Sequence, residues 1–172
     1  MIQMNSDPLY KRPQLLQQIR DQFVIDWHGV HGANHWARVL HHGQRIAEQR
    51  QADLLVVELF AFLHDSCRFD DYKDPLHGER GAEFAHGING QHFHLDSQQL
   101  DNLCYAIRHH SGGELSTNPT IQSCWDADRL DLGRVGIIPS PKFLSVEASQ
   151  LIDEAFSWST SGIGMENKNL KI

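Results

Sequence analysis

The stretch from Leu54 to Asp65 constrains the fold more than any other part of the sequence. It reads Leu-Leu-Val-Val-Glu-Leu-Phe-Ala-Phe-Leu-His-Asp, and it is apolar apart from Glu58 and its last two residues. A helix that is hydrophobic on every face must be buried among other elements. The pattern therefore predicts a central core helix, surrounded by other helices, with His64 and Asp65 at its end.

The rest of the chain also has the periodicity of helices, and the Val/Ile/Thr-rich alternation typical of strands is nearly absent. Asp53 and Ser97 are expected N-caps, and Gly112-Gly113 should end a helix. We therefore predict an all-α fold, a compact bundle of six or seven helices. The predicted helices are roughly 13–27, 33–50, 53–67, 78–88, 97–111, 120–133 and 141–158.

The domain organisation follows from length and from the character of the C-terminal residues. A chain of 172 residues is expected to form one core, because compact domains most often have ~100–150 residues. Residues 162–172 are polar and have no apolar period. We predict one domain over residues 1–161 and a flexible C-terminal tail over 162–172.

Charge and hydropathy argue against several classes of partner. The net charge is −7, and no Lys/Arg cluster is present, so duplex nucleic acid is not an expected partner. No apolar segment approaches the ~18 residues of a membrane span, and no export signal is visible, so we expect a cytoplasmic protein. Three cysteines without C-x-x-C spacing predict neither a disulfide framework nor a thiolate zinc site.

The 12 histidines are the unusual feature of the composition, because imidazole binds metals and titrates near neutrality. On a helical projection, His35 lies on the apolar face of the second helix and Asp128 on that of the sixth. His64 and Asp65 end the core helix. A divalent cation is a suitable common partner for buried imidazoles and carboxylates from separate helices.

Three local motifs strengthen this hypothesis. They are His35-x-x-Arg38-Val39, Ala61-x-x-His64-Asp65, and Asp126-Ala127-Asp128-Arg129-Leu130-Asp131. Together they resemble the HD superfamily over about residues 28–135. The resemblance implies an all-helical, metal-dependent phosphohydrolase domain in which His35, His64, Asp65 and Asp128 hold a divalent ion such as Mn, Mg, Zn, Co or Ni.

The resemblance also raises a second metal. His77 and His110 are positioned like the extra ligands of two-metal members, in which Asp65 would bridge the cations and iron would be a candidate metal. Helical projection favours His110 over the adjacent His109. No Gly-Tyr-Pro signature is present, which argues against a cyclic dinucleotide phosphodiesterase of that subtype.

Further residues receive functional predictions. Arg38 and Arg68 each lie one turn after a ligand histidine, and one or both are expected to neutralise a phosphate, the alternative being that they lie on ordinary solvated helix faces. Asp65 or a nearby histidine would carry the proton, and Glu58 is expected to orient a ligand histidine. The remaining histidines are interpreted as loop or surface residues: His28, His31, His41, His42, His86, His92 and His94.

Three functions follow from the sequence. The leading hypothesis is hydrolysis of a small phosphate ester, a nucleotide or related metabolite, by a metal-activated water. The second is a di-iron oxygenase of the same fold, and the third is a metal-binding sensor without turnover. The residues also allow plainer interpretations: Asp128 paired with Arg129 or Arg134, His64-Asp65 as a helix end, and His35 as a hydrogen-bonded core histidine.

Overall fold

The computed structural model describes residues 9–168, and this part of the chain contains helices but no β-strand. The prediction of an all-α bundle is confirmed, with eight α-helices in the described residues. These are α1 (Arg12–Gln22), α2 (Ala33–Arg50), α3 (Leu54–Leu63), α4 (His77–Ile88), α5 (Ser97–His109), α6 (Pro119–Leu130), α7 (Val146–Ser149) and α8 (Ile152–Thr160). Two 3₁₀ turns lie at Asp131–Val135 and Pro141–Phe143.

Helix α3 is the centre of the bundle, as its composition predicts. Residues 56–63 are all buried, and α2, α5 and α6 pack around them. The Asp53 carboxylate accepts hydrogen bonds from two backbone N–H groups of the first turn, so the predicted N-cap is confirmed. The helix ends at Leu63, and the chain turns at His64 and Asp65. Both side chains are thus held at the end of a rigid, buried helix.

A close helix contact fixes the position of α2 on this core. A Cβ atom added at Gly43 would lie 2.8 Å from Cγ1 of Val57 in α3 and 3.2 Å from Cβ of Ala127 in α6. Because no side chain separates the three helices here, their backbones approach closely. This contact brings the motif residues of α2 and α6 to the same end of α3.

Some helix boundaries differ from the prediction. Asp96, not Ser97, is the N-cap of α5, and it forms a capping box with Gln99. Helix α6 ends at Leu130, after which the backbone tightens into the 3₁₀ turn. The helix predicted over 141–158 is divided, because Ser145 caps α7 with its own hydroxyl and starts a new helix there.

The segment after α8 returns to α2. Arg38 Nη1 donates to the backbone oxygen of Ile163 at 2.5 Å, and Asn34 Oδ1 accepts from the backbone N–H of Met165 at 3.2 Å. Ile163 and Met165 therefore contact α2 within the segment that is predicted as a flexible tail, and residues 169–172 of that segment lie outside the described part. Within residues 9–168, no helix has both the length and the apolar character to cross a membrane.

Candidate metal centre

Five elements meet at one end of α3 and contribute ligand-type side chains. His35 lies in the first turn of α2, His64 and Asp65 follow α3, and Asp128 lies near the end of α6. His77 begins α4, and His110 caps the C-terminal end of α5; these helices pack against each other beside α3. All six side chains are buried. The bundle thus brings all six side chains together at one end of α3.

The first cluster consists of His35, His64 and Asp128. The Nε2 atoms of the two histidines are 3.0 Å apart. Asp128 Oδ1 lies 3.4 Å from His35 Nε2 and 3.6 Å from His64 Nε2. Three potential ligand atoms from three different helical elements therefore converge on one point.

The second cluster consists of His77, His110 and Asp65. The two Nε2 atoms are 2.9 Å apart. Asp65 Oδ1 lies 3.4 Å from His77 Nε2 and 3.5 Å from His110 Nε2. His109, by contrast, packs its ring against Tyr105, so His110 is the member of the doublet that faces the centre.

Asp65 connects the two clusters. Its Oδ2 atom lies 3.6 Å from His35 Nε2 and 3.5 Å from His64 Nε2, while its Oδ1 atom faces the second cluster. One oxygen is thus available on each side. This is the arrangement in which a carboxylate bridges two cations in a dinuclear site.

The hydrogen bonds of the imidazoles fit a metal. The Nδ1 atoms of His64, His77 and His110 face the backbone carbonyl oxygens of Phe60, Asp74 and Ile107, respectively. A carbonyl only accepts, so each Nδ1 must carry the proton, and in the neutral ring Nε2 then presents a lone pair. Such lone pairs repel when they face each other at about 3 Å, and a cation between them converts that repulsion into coordination.

Asp128 provides a second observation on whether these residues suit a metal ion. Its Oδ1 atom is buried and has no hydrogen-bond donor among the described residues. An ionised oxygen in the interior that accepts no hydrogen bond is costly. A cation beside His35 and His64 would satisfy this atom, so the donor set suits a divalent metal with nitrogen and oxygen ligands.

The site's electrostatics favour ionised carboxylates. Burial alone would raise the pKa of Asp65 and Asp128, but the surrounding histidines hold both pKa values well below the ordinary range. Burial lowers the pKa of His64, and it lowers that of His77 to about 4. For His110, burial is outweighed by the hydrogen bond and charge of Asp65, which raise the pKa. Asp65 thus provides negative charge that a cation would neutralise.

A cavity of about 510 Å³ opens beside both clusters. Asp65, Asp128, His77 and His110 form part of its wall. The wall also contains four basic side chains, which are Arg68, Lys73, Arg129 and Arg134. The volume suits a small molecule. The four basic side chains outnumber the three carboxylates of the wall, those of Asp65, Asp74 and Asp128, and they suit an anionic ligand.

Comparison with known proteins agrees with this geometry. The sequence matches the HD domain family over residues 32–133, a range that contains all six ligand-type residues. The chain belongs to the HD domain family. A crystal structure of a predicted HD superfamily hydrolase from an uncultured Thermotogales bacterium is similar, with a TM-score of 0.65 and 26% identity over 87% of each chain. A comparison with curated proteins found no match.

Two side chains of this HD domain lie elsewhere than predicted. Arg38 is expected at a phosphate, but it is buried and donates Nε and Nη2 to Asp131 at 2.7 and 3.0 Å. Glu58 is expected beside a ligand histidine, but its Oε1 accepts from Tyr10 and Arg12. Arg38 is thus paired within the fold, and Glu58 ties the N-terminal segment to α3. Arg68 does line the cavity, 3.5 Å from Asp65.

Asp131 is the most important residue that the sequence-based assignment missed. It is fully buried, and its Oδ2 accepts from His35 Nδ1 at 2.7 Å. This bond fixes the His35 ring with Nε2 toward the first cluster, as outer carboxylates do for metal-binding histidines. Asp131 follows Asp128 by three residues, about one helical turn. This spacing is the sequence signal that would have indicated that both side chains point toward the same side of the helix.

His31 and Arg134 were also missed. His31 is interpreted from sequence as a surface residue, yet it is buried, lines the cavity, and has Nδ1 2.8 Å from Asp71 Oδ1. Arg134 lines the cavity with Nη2 3.7 Å from Asp128 Oδ1. Both lie in non-helical or 3₁₀ segments, where helical projection gives no direction.

Proposed function

We propose that this HD domain is a metal-dependent phosphohydrolase that acts on a small phosphate ester, a nucleotide or a related metabolite. The observation that carries the proposal is the position of Asp65, with one oxygen toward each histidine cluster and a basic cavity beside it. Metal ligands next to guanidinium groups form the combination that phosphoryl transfer needs, because negative charge is stabilised on several oxygens at once.

The metal would be held by His35, His64, Asp65 and Asp128, and a second one by Asp65 with His77 and His110. Bound divalent ions supply Lewis-acid polarisation of a phosphoryl oxygen and a water of lowered pKa. The donor set is nitrogen and oxygen without sulfur, which suits Mn, Mg, Zn, Co, Ni or Fe.

The cavity side chains would bind and orient the substrate. Arg68 lies beside Asp65 and Arg134 beside Asp128, so the two guanidinium groups flank the clusters. A planar guanidinium donates two parallel hydrogen bonds to a phosphate. In this proposal Arg68 and Arg134 clamp the phosphoryl oxygens, whereas Arg38 keeps His35 and Asp131 in place.

His31 is the side chain proposed to protonate the leaving oxygen. Its contact with Asp71 orients the ring within the cavity wall. Burial lowers the pKa of His31, and the charge of Asp65 and the hydrogen bond to Asp71 act in the opposite direction. A histidine oriented by a carboxylate is a common general acid.

The test is turnover of a panel of nucleotides and chromogenic phosphate esters with added Mn²⁺, Mg²⁺ or Co²⁺. We expect metal-dependent hydrolysis that chelation and Asp128→Ala both abolish. Arg68→Ala and Arg134→Ala should raise KM or lower kcat while metal content stays unchanged. Turnover that persists in the chelated protein would contradict the proposal.

A second candidate is a di-iron oxygenase, and the complete second cluster is the observation that favours it. Element analysis of protein purified without added metal distinguishes the two. Two irons, with oxygen consumption and no ester hydrolysis, would replace the phosphohydrolase. A tightly bound metal with neither activity would favour a sensor.

A further inference from the structure

A separate group of ligand-type side chains lies where α8 packs on α2, away from Asp65 and its clusters. His41 and His42 belong to α2, and Glu154 belongs to α8. One potential ligand atom from each residue lies within 4.8 Å of the other two. None of the three lines the cavity beside the metal centre.

His42 is a buried histidine whose ring nitrogens are unpaired within the described part of the chain. It is fully buried, and neither ring nitrogen has a hydrogen-bond partner among the described residues. Leaving a buried polar atom unpaired costs roughly 1–3 kcal/mol. An imidazole at this position is therefore disfavoured by the protein alone, and a cation bound to one ring nitrogen would remove that nitrogen's share of the penalty.

The other two side chains have room to adjust. His41 and Glu154 are each partly exposed, and His41 Nε2 lies 3.9 Å from Glu154 Oε1. Tetrahedral bonds of about 2.0–2.1 Å put ligand atoms roughly 3.3 Å apart. Bringing the His41 and Glu154 ligand atoms from 3.9 Å to this spacing needs only rotation of these two partly exposed side chains.

We propose that His41, His42 and Glu154 form a third cation site, distinct from the candidate metal centre. Two imidazoles and one carboxylate suit Zn²⁺, Ni²⁺ or Cu²⁺, because these ions favour nitrogen ligands. Mg²⁺ and Ca²⁺ prefer oxygen ligands and would not compete. The bound ion would cross-link α8 to α2.

The positive charge of Arg45 should weaken cation binding at this site, so an Arg45 variant can serve as a control. Its Nη1 donates to Glu154 Oε1 at 2.6 Å, so it places a positive charge beside the proposed ion. This bond uses Oε1, the same oxygen that lies 3.9 Å from His41 Nε2, and the Arg45 side chain is partly exposed. Removing this charge should strengthen cation binding.

The first experiment counts zinc in the full-length protein after saturation and removal of free metal. His41→Ala and Glu154→Gln should each bind one equivalent of zinc fewer than wild type. If zinc still binds at this site, its affinity should fall by more than the roughly 10- to 100-fold that loss of a residue outside the ligand set costs. Arg45→Gln should raise affinity. The exposed His86 gives the matched control His86→Ala, which should change nothing.

The second experiment uses Trp158 as a local reporter. Its ring lies 4.6 Å from that of His41 and 5.6 Å from that of His42, so Cu²⁺ bound there should quench its fluorescence. Trp158→Phe removes the reporter and should therefore remove this quenching. His41→Ala should abolish the same quenching by removing a ligand. Asp128→Ala should retain it. Unchanged zinc content and quenching in His41→Ala and Glu154→Gln would overturn the site, whatever the hydrolysis assays show.

Discussion

Replacing Asp131 with Asn tests whether this residue holds the metal centre together from outside. The carboxylate accepts from Arg38 Nε and Nη2 and from His35 Nδ1. Burial would raise its pKa, but these hydrogen bonds lower it. Asn is the same size, yet it carries no charge, and its NH₂ group would face an N–H donor.

The magnitude follows from these contacts. Arg38 is buried, and its remaining acceptor is the backbone oxygen of Ile163. Removing one charge of a buried pair costs about 3–5 kcal/mol. Asn retains one acceptor, so we expect about 3 kcal/mol. This corresponds to a fall in Tm of roughly 6–12 °C for a domain of this size. Loss of the outer carboxylate should also weaken metal binding about 10- to 100-fold.

The assays are calorimetric unfolding of the chelated protein and titration with Mn²⁺ or Zn²⁺. Asp126→Asn is the control, because Asp126 is equally buried in α6 but accepts from Gln122 and Ser145 instead of a ligand histidine. It should lower stability without changing metal affinity. Wild-type metal affinity in Asp131→Asn, or an equal loss in Asp126→Asn, would refute the role given to Asp131.

Three further predictions follow from the same contacts. His77→Ala and His110→Ala should each lower metal stoichiometry at the candidate centre from two toward one, as measured by element analysis, whereas His109→Ala should not. Chelation should lower Tm, because a ligand at 100 times its Kd stabilises the folded state by ~2.7 kcal/mol; an unchanged melting scan would argue against a metal. Asp53→Ala should cost about 1 kcal/mol in denaturant unfolding with no change in metal affinity, because it removes the α3 cap.

The sequence predicts the helical core well, because its signals are strong and local. The apolar stretch of α3, the Asp53 cap, and the placement of His35 and Asp128 on buried faces all depend on the 3.6-residue period. That period also favours His110 over His109. His42 is an exception, because it is interpreted from sequence as a loop or surface residue but is fully buried in α2.

The errors concern pairings between distant segments. Arg38 is predicted to bind phosphate and Glu58 to orient a ligand histidine, but their partners are Asp131 and Tyr10, which come from other parts of the chain. His31 follows a turn, so no period indicates that it points into the cavity. Partner choice depends on tertiary packing, and one helix's periodicity contains no information about it.

Asp65 has a consequence for how cations would load the centre. Because its two oxygens face different clusters, an ion in one cluster fixes the carboxylate and alters its charge toward the other. Occupation of the two positions is then thermodynamically linked, and the linkage is reciprocal. Activity measured against metal concentration should therefore depart from a simple hyperbola, and substitution of His77 should shift the affinity of the cluster formed by His35 and His64, which it does not contact.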